Sequence, residues 1–211
     1  MLRKFDFRIL FGLLLILGGG LFLLENLGIL PLGSLFWGTL LAAGGVYFVG
    51  WFAMRREHWW ALIPGFTLLG LASTVLVSVF SPRLGNLYGG TLLFGGIAVG
   101  FFGVYATAPR AHWWALIPGG VLFTLGVVSH WDARPLWSGI DSGGVFFLGL
   151  SITFWLVYLL PPRQSWAFFP AAALLAFAFL VFAPAAITQY WPVLLIVAGI
   201  LLLVRSFGGK A

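Results

Sequence analysis

The chain has no cysteine and very little charge. Without cysteine there can be no disulfide framework, no thiolate metal site and no thiol nucleophile. Only 8% of the residues are charged, where a soluble globular domain carries about 25%. Acidic groups are the scarcest: Asp6, Glu25, Glu57, Asp132 and Asp141 are the whole set. No ionisable side chain falls in the middle of a long apolar run. Proton-coupled transport, hydrolysis and metal catalysis therefore lack the residues they need, and no enzymatic activity and no cofactor are expected.

What is present is hydrocarbon-compatible sequence. Hydrophobic residues make up 62% of the chain, and the mean hydropathy is +1.08. This composition predicts an all-α integral membrane protein, one polytopic domain over residues 1–211, with lipid as its solvent. Eleven Lys and Arg against five Asp and Glu give a net charge of +6. The basic residues sit singly or in pairs between apolar runs, which is the positive-inside pattern and not a polyanion-binding face. No nucleic-acid partner is expected.

A membrane span needs about 20 apolar residues. Eight runs qualify or nearly qualify: Arg8 to Glu25, Leu35 to Met54, Trp59 to Phe80, Leu87 to Ala108, Trp113 to about Ser129, Gly143 to Leu160, Trp166 to about Ala183, and Tyr190 to Val204. The first follows a basic start but lacks an A-x-A cleavage pattern, so it reads as a retained helix. The first and eighth are the shortest, which sets the range at six to eight. Ser81-Pro82-Arg83, Pro109-Arg110 and Pro161-Pro162-Arg163 punctuate the runs, and one polar loop extends from His130 to Ser142. With eight spans and a cytoplasmic N-terminus, nine Lys and Arg fall inside and only Arg83 and Arg134 outside. Both termini are then cytoplasmic.

One phrase recurs. His58-Trp59-Trp60-Ala61-Leu62-Ile63-Pro64-Gly65 returns unchanged as residues 112 to 119, and a degraded copy follows at Trp166-Ala167-Phe168-Phe169-Pro170-Ala171. Each copy follows an arginine and opens an apolar run. A second likeness links Leu35 to Leu41 with Leu87 to Leu93. The predicted plan is four two-helix units, approximately 1–54, 55–108, 109–160 and 161–211. A unit with two spans returns to the same side, so the copies are parallel and not inverted.

The candidate sites follow from composition. Gly96 and Gly100 form a GxxxG pair that Gly103 extends, and Gly38 with Ala42 makes a small-xxx-small pair. Such faces serve packing within one bundle, or docking of a protein partner or second copy. Trp59, Trp60, Trp113, Trp114 and Trp166 fall where an interfacial aromatic belt belongs. His58 and His112 lie beside them, as interfacial residues or as candidate ligands for haem or another pigment. Pro64, Pro118 and Pro170 near the helix starts predict a kink or tilt. The buried hydroxyls can each bond the carbonyl of the preceding turn. Asp132 and Asp141 form an acidic outer loop, read as solvated.

Residues Gly12 to Gly18, Leu24-Glu25-Asn26-Leu27-Gly28-Ile29-Leu30-Pro31 and Leu35-Phe36-Trp37 resemble the transmembrane region of the LiaI/LiaF-like family of bacterial envelope proteins. Tyr190 to Leu203 is similar in character. That resemblance implies a bacterial cytoplasmic membrane and a non-enzymatic role in envelope-stress signalling. Three functions stay open on sequence: an accessory subunit, scaffold or regulatory module acting through helix contacts; a carrier or channel for a small uncharged or lipid-like solute; and a pigment-binding subunit.

Overall fold

The computed structural model describes residues 7–28, 32–133 and 141–183, together with Ile196, Gly199 and Ile200. Seven helices run in order: α1 Phe7–Asn26, α2 Leu32–Met54, α3 Leu62–Phe80, α4 Pro82–Thr107, α5 Leu116–Asp132, α6 Ser142–Leu159 and α7 Phe168–Phe182. Three-residue 3₁₀ turns, Trp59–Ala61, Trp113–Ala115 and Ser165–Ala167, lead into α3, α5 and α7. No strand occurs among the described residues. Six helices are long and apolar enough to cross a membrane, namely α2 to α7 counted with their leading turns, while Ile9–Leu24 of α1 is shorter. The protein has the make-up of a multi-pass membrane protein. The eighth expected span, Tyr190 to Val204, lies outside the described residues apart from three helical positions, and so do both chain ends.

Among the described residues the helices do not form a closed bundle. Each packs closely only on the helix before it and the helix after it: α1 on α2, α2 on α3, and so on to α7. The result is an open row of antiparallel helices. Large apolar side chains stay exposed along the row, Phe80, Phe169 and Phe179 among the most exposed. The fully buried positions are small: Ala61, Ala72, Ala98, Ala115, Ala167, Ala171, Ala178, Ser151 and the two valines Val104 and Val157. In hydrocarbon no hydrophobic force draws helices together. Close backbone approach and van der Waals contact do, and they favour small residues at the seams.

Several boundaries differ from those expected. The α4 helix starts five residues before Leu87, because Ser81 is an N-cap and Pro82 fits the first helical position. The Ser81 hydroxyl accepts from the Leu84 N–H at 3.4 Å. Ser81 alone separates α3 from α4. His130, assigned above to the polar loop, lies in the last turn of α5 instead, its ring stacked on Tyr88 of α4 at 5.1 Å. Asp141 is exposed, as read, but not free: its carboxylate accepts from the Gly143 and Gly144 N–H groups at 2.7 and 3.4 Å and caps α6.

Candidate functional site

Two features are candidates: an aromatic edge built by the recurring phrase, and an apolar groove between α5 and α6. The edge comes first because its local chemistry is simple. Pro64, Pro118 and Pro170 occupy the third position of α3, α5 and α7. A proline there cannot donate to the carbonyl four residues earlier, on Trp60, Trp114 and Trp166 respectively. The chain accordingly enters each helix through a tighter turn: the N–H groups of Ala61, Ala115 and Ala167 donate to the carbonyls of His58, His112 and Gln164, each at 3.0 Å. All three alanines are fully buried, since any larger side chain would separate the turn from the preceding helix.

The two tryptophans of the phrase take different parts. Trp60, Trp114 and Trp166 are 44%, 36% and 45% exposed. Each packs on a phenylalanine of the preceding helix, Phe48, Phe101 and Phe154, at 6.2, 6.3 and 6.0 Å. The preceding tryptophan is half-buried and reaches the next turn along the row. Trp59 meets Trp114 at 6.3 Å, and Trp113 meets Trp166 at 6.4 Å. Trp59 and Trp113 therefore join successive turns, beyond the simple anchoring expected of them. Each ring pair contributes on the order of 1 kcal/mol.

The histidines belong to this edge. The His112 ring lies 4.2 Å from that of Trp59. Its Nδ1 is 3.2 Å from the Val104 carbonyl oxygen and 3.1 Å from the Thr107 hydroxyl. A carbonyl only accepts, so the proton is assigned to Nδ1, and His112 closes the C-terminal end of α4. His58 packs on Trp51 and Trp60 at 5.3 and 6.4 Å, with Nε2 3.7 Å from Glu57. The two imidazoles have separate surroundings, and the structure does not assemble them into one ligand set.

The glycine faces are spent within the chain. A Cβ added to Gly96 would lie 2.7 Å from the Gly70 Cα on α3, and one added to Gly100 2.9 Å from the Leu62 carbonyl oxygen. Gly103 faces the Leu62 side chain and Gly38 packs on Val75 and Leu76, while Ala42 is half-buried on α2. The Gly96–Gly100–Gly103 face is thus not open for an external partner, because α3 covers it. Sequence shows the motif but not its direction.

The hydroxyls do more than expected. Thr67, Ser73, Thr124 and Thr153 bond only within their own helices. Three others cross a seam: Thr74 donates to Gly89 O at 3.0 Å, Thr91 to Gly126 O at 3.1 Å, and the buried Ser151 to Ala171 O at 2.8 Å.

The α5–α6 seam has a device of its own, overlooked in the sequence although its signal is plain: Gly120-x-x-x-Thr124 and Gly149-x-x-x-Thr153 on consecutive helices. Gly120 faces the Thr153 side chain and Gly149 faces that of Thr124, a reciprocal pair. Beside it runs a groove of about 370 Å³ lined by Phe102, Phe123, Val127, Leu148, Ile152 and Leu156, among others. Its only side-chain polar groups, Thr124 and Thr153, donate to Gly120 O and Gly149 O in their own helices. A second, shallower depression over α3 and α4 shares Phe123 as its border. A site with no unsatisfied donor does not hold water and accepts an apolar chain. No protein-family model, curated protein or solved structure matches the chain.

Proposed function

We propose that this is a non-enzymatic protein of the bacterial cytoplasmic membrane, built of four parallel two-helix units with both ends cytoplasmic. In this reading it works by lateral contact within the bilayer, as an accessory subunit or scaffold of a larger membrane assembly or as an envelope-stress module. The observation that carries it is the open row: seams of small residues hold the helices together, and among the described residues many large apolar side chains stay exposed. The recurrent turn geometry supports the repeat plan, and the nine-to-two distribution of Lys and Arg supports the orientation. The likeness of Arg8 to Val49 to the LiaI/LiaF-like transmembrane region supports the membrane and the role. Contact with a partner runs through the exposed faces and not through Gly96 and Gly100.

The test uses the absence of native cysteine. Single cysteines at Val46, Val99 and Phe179, all exposed, are crosslinked in native membranes and the products identified by mass spectrometry. A stoichiometric product with one membrane protein, at one face only, is the expected result. Protein recovered alone from all three positions, with flux of a lipid-like solute in proteoliposomes, would replace this reading with the carrier reading. The α5–α6 groove is the observation that keeps the carrier as the second reading.

A further inference from the structure

The two ends of the α5–α6 groove carry opposite charge. On the aromatic edge, α5 is preceded by the turn holding Arg110 and α6 is followed by the turn holding Arg163, so the connectivity puts both arginines at the same end of the α5–α6 pair. Both are exposed, and neither has an ion-pair partner among the described residues. At the far end lie two carboxylates, Asp132 as the last residue of α5 and Asp141 as the N-cap of α6. Between the ends, the α6 lining runs from Val145 to Leu156. At 1.5 Å per residue that is about 17 Å, close to one leaflet of a hydrocarbon core roughly 30 Å thick. The lining is apolar throughout, and its threonines are satisfied within their own helices.

We propose that this groove is a binding site for one anionic phospholipid, its acyl chain lying along Phe123, Val127, Leu148 and Ile152 and its phosphate between Arg110 and Arg163. The charge difference between the mouths fixes which way the lipid enters. A zwitterionic lipid has the same chain but gains less from the two guanidinium groups, each of which favours a negatively charged surface. The inference stands apart from the proposed scaffold role, because it needs only the groove and its two turns.

The full-length protein, purified in detergent and stripped of lipid, is titrated with phosphatidylglycerol or phosphatidylcholine and read by native mass spectrometry. One phosphatidylglycerol is expected to bind about thirtyfold more tightly than phosphatidylcholine, two basic groups being involved. In the double variant Arg110→Gln/Arg163→Gln the preference falls to near unity. In Ile152→Trp, which fills the groove from an exposed position, binding of both lipids drops by about tenfold or more. Thermal unfolding in lipid-free detergent, unchanged by either variant, shows that the fold is intact. Equal affinity for the two lipids in the parent protein would overturn the site, as would full retention of phosphatidylglycerol in either variant. So would a groove found occupied by the helix of a copurifying protein.

Discussion

The α3–α4 and α5–α6 seams join helices of similar composition in two different ways. At the first, backbone meets backbone: Gly96 lies on Gly70, and Gly100 on the Leu62 carbonyl. At the second, each glycine receives a threonine, Gly120 against Thr153 and Gly149 against Thr124. A side chain inserted at the crossing holds the helices further apart than a bare backbone does, and the flanks of the seam open into a groove. The lesson concerns the unit of design. In an open row the partner of a glycine, more than the glycine itself, decides how closely two helices approach.

Substitutions can break that contrast, and the largest effect belongs to the backbone contact. Gly96→Leu places a side chain against the Gly70 backbone, which cannot move aside, and costs about 3 kcal/mol or more. Loss of a monodisperse folded species in mild detergent is the expected reading. At the threonine seam the obstacle is a side chain, so Gly120→Ala costs about 1–2 kcal/mol, and adding Thr153→Ala restores most of it. Chemical unfolding in mixed micelles, run as a double-mutant cycle, measures the recovery. If Thr153→Ala gave no relief, the reciprocal pairing would be wrong. A smaller contrast separates the hydroxyls. Thr74→Val removes a bond across the seam to Gly89 and costs about 0.6 kcal/mol, whereas Thr124→Val removes one within its own helix and changes stability by less. The last contrast is one of sign, at Gly95→Ala. A Cβ there meets nothing within 4 Å, so the change gains up to about 1 kcal/mol of helix propensity. Its immediate neighbour Gly96 would show the opposite sign in the same assay.

That last pair explains what the sequence could and could not disclose. Gly95 and Gly96 are identical letters, and α4 offers no polar face to orient them, because the lipid outside is as apolar as the seam inside. Periodicity, the usual guide to which face is buried, carries no signal under those conditions. Helix existence was legible for the opposite reason. Runs of hydrocarbon-compatible residues between arginines and prolines define spans without reference to packing, and α2, α3, α6 and α7 begin and end within three residues of the runs proposed for them once their leading turns are counted. A boundary was missed where a single polar residue acts as a cap, as Ser81 does. The division of labour between Trp59 and Trp60 was hidden for a related reason. Both satisfy an interfacial preference, and only the 3₁₀ turn decides which ring points along the row. The Gly-x-x-x-Thr pairs were visible throughout, and what concealed them was the habit of weighing glycine with glycine alone.

The row also has a temporal side. Among the described helices, the close helix–helix packing is between neighbours in the sequence. A nascent chain leaving the ribosome N-terminus first would therefore meet each packing partner already in place. No helix has to be held apart in lipid awaiting a distant stretch still to be translated, and loop closure between neighbours costs little entropy. Assembly can proceed hairpin by hairpin in the order of synthesis, with the short Ser81 link and the prolyl turns acting as its successive stops.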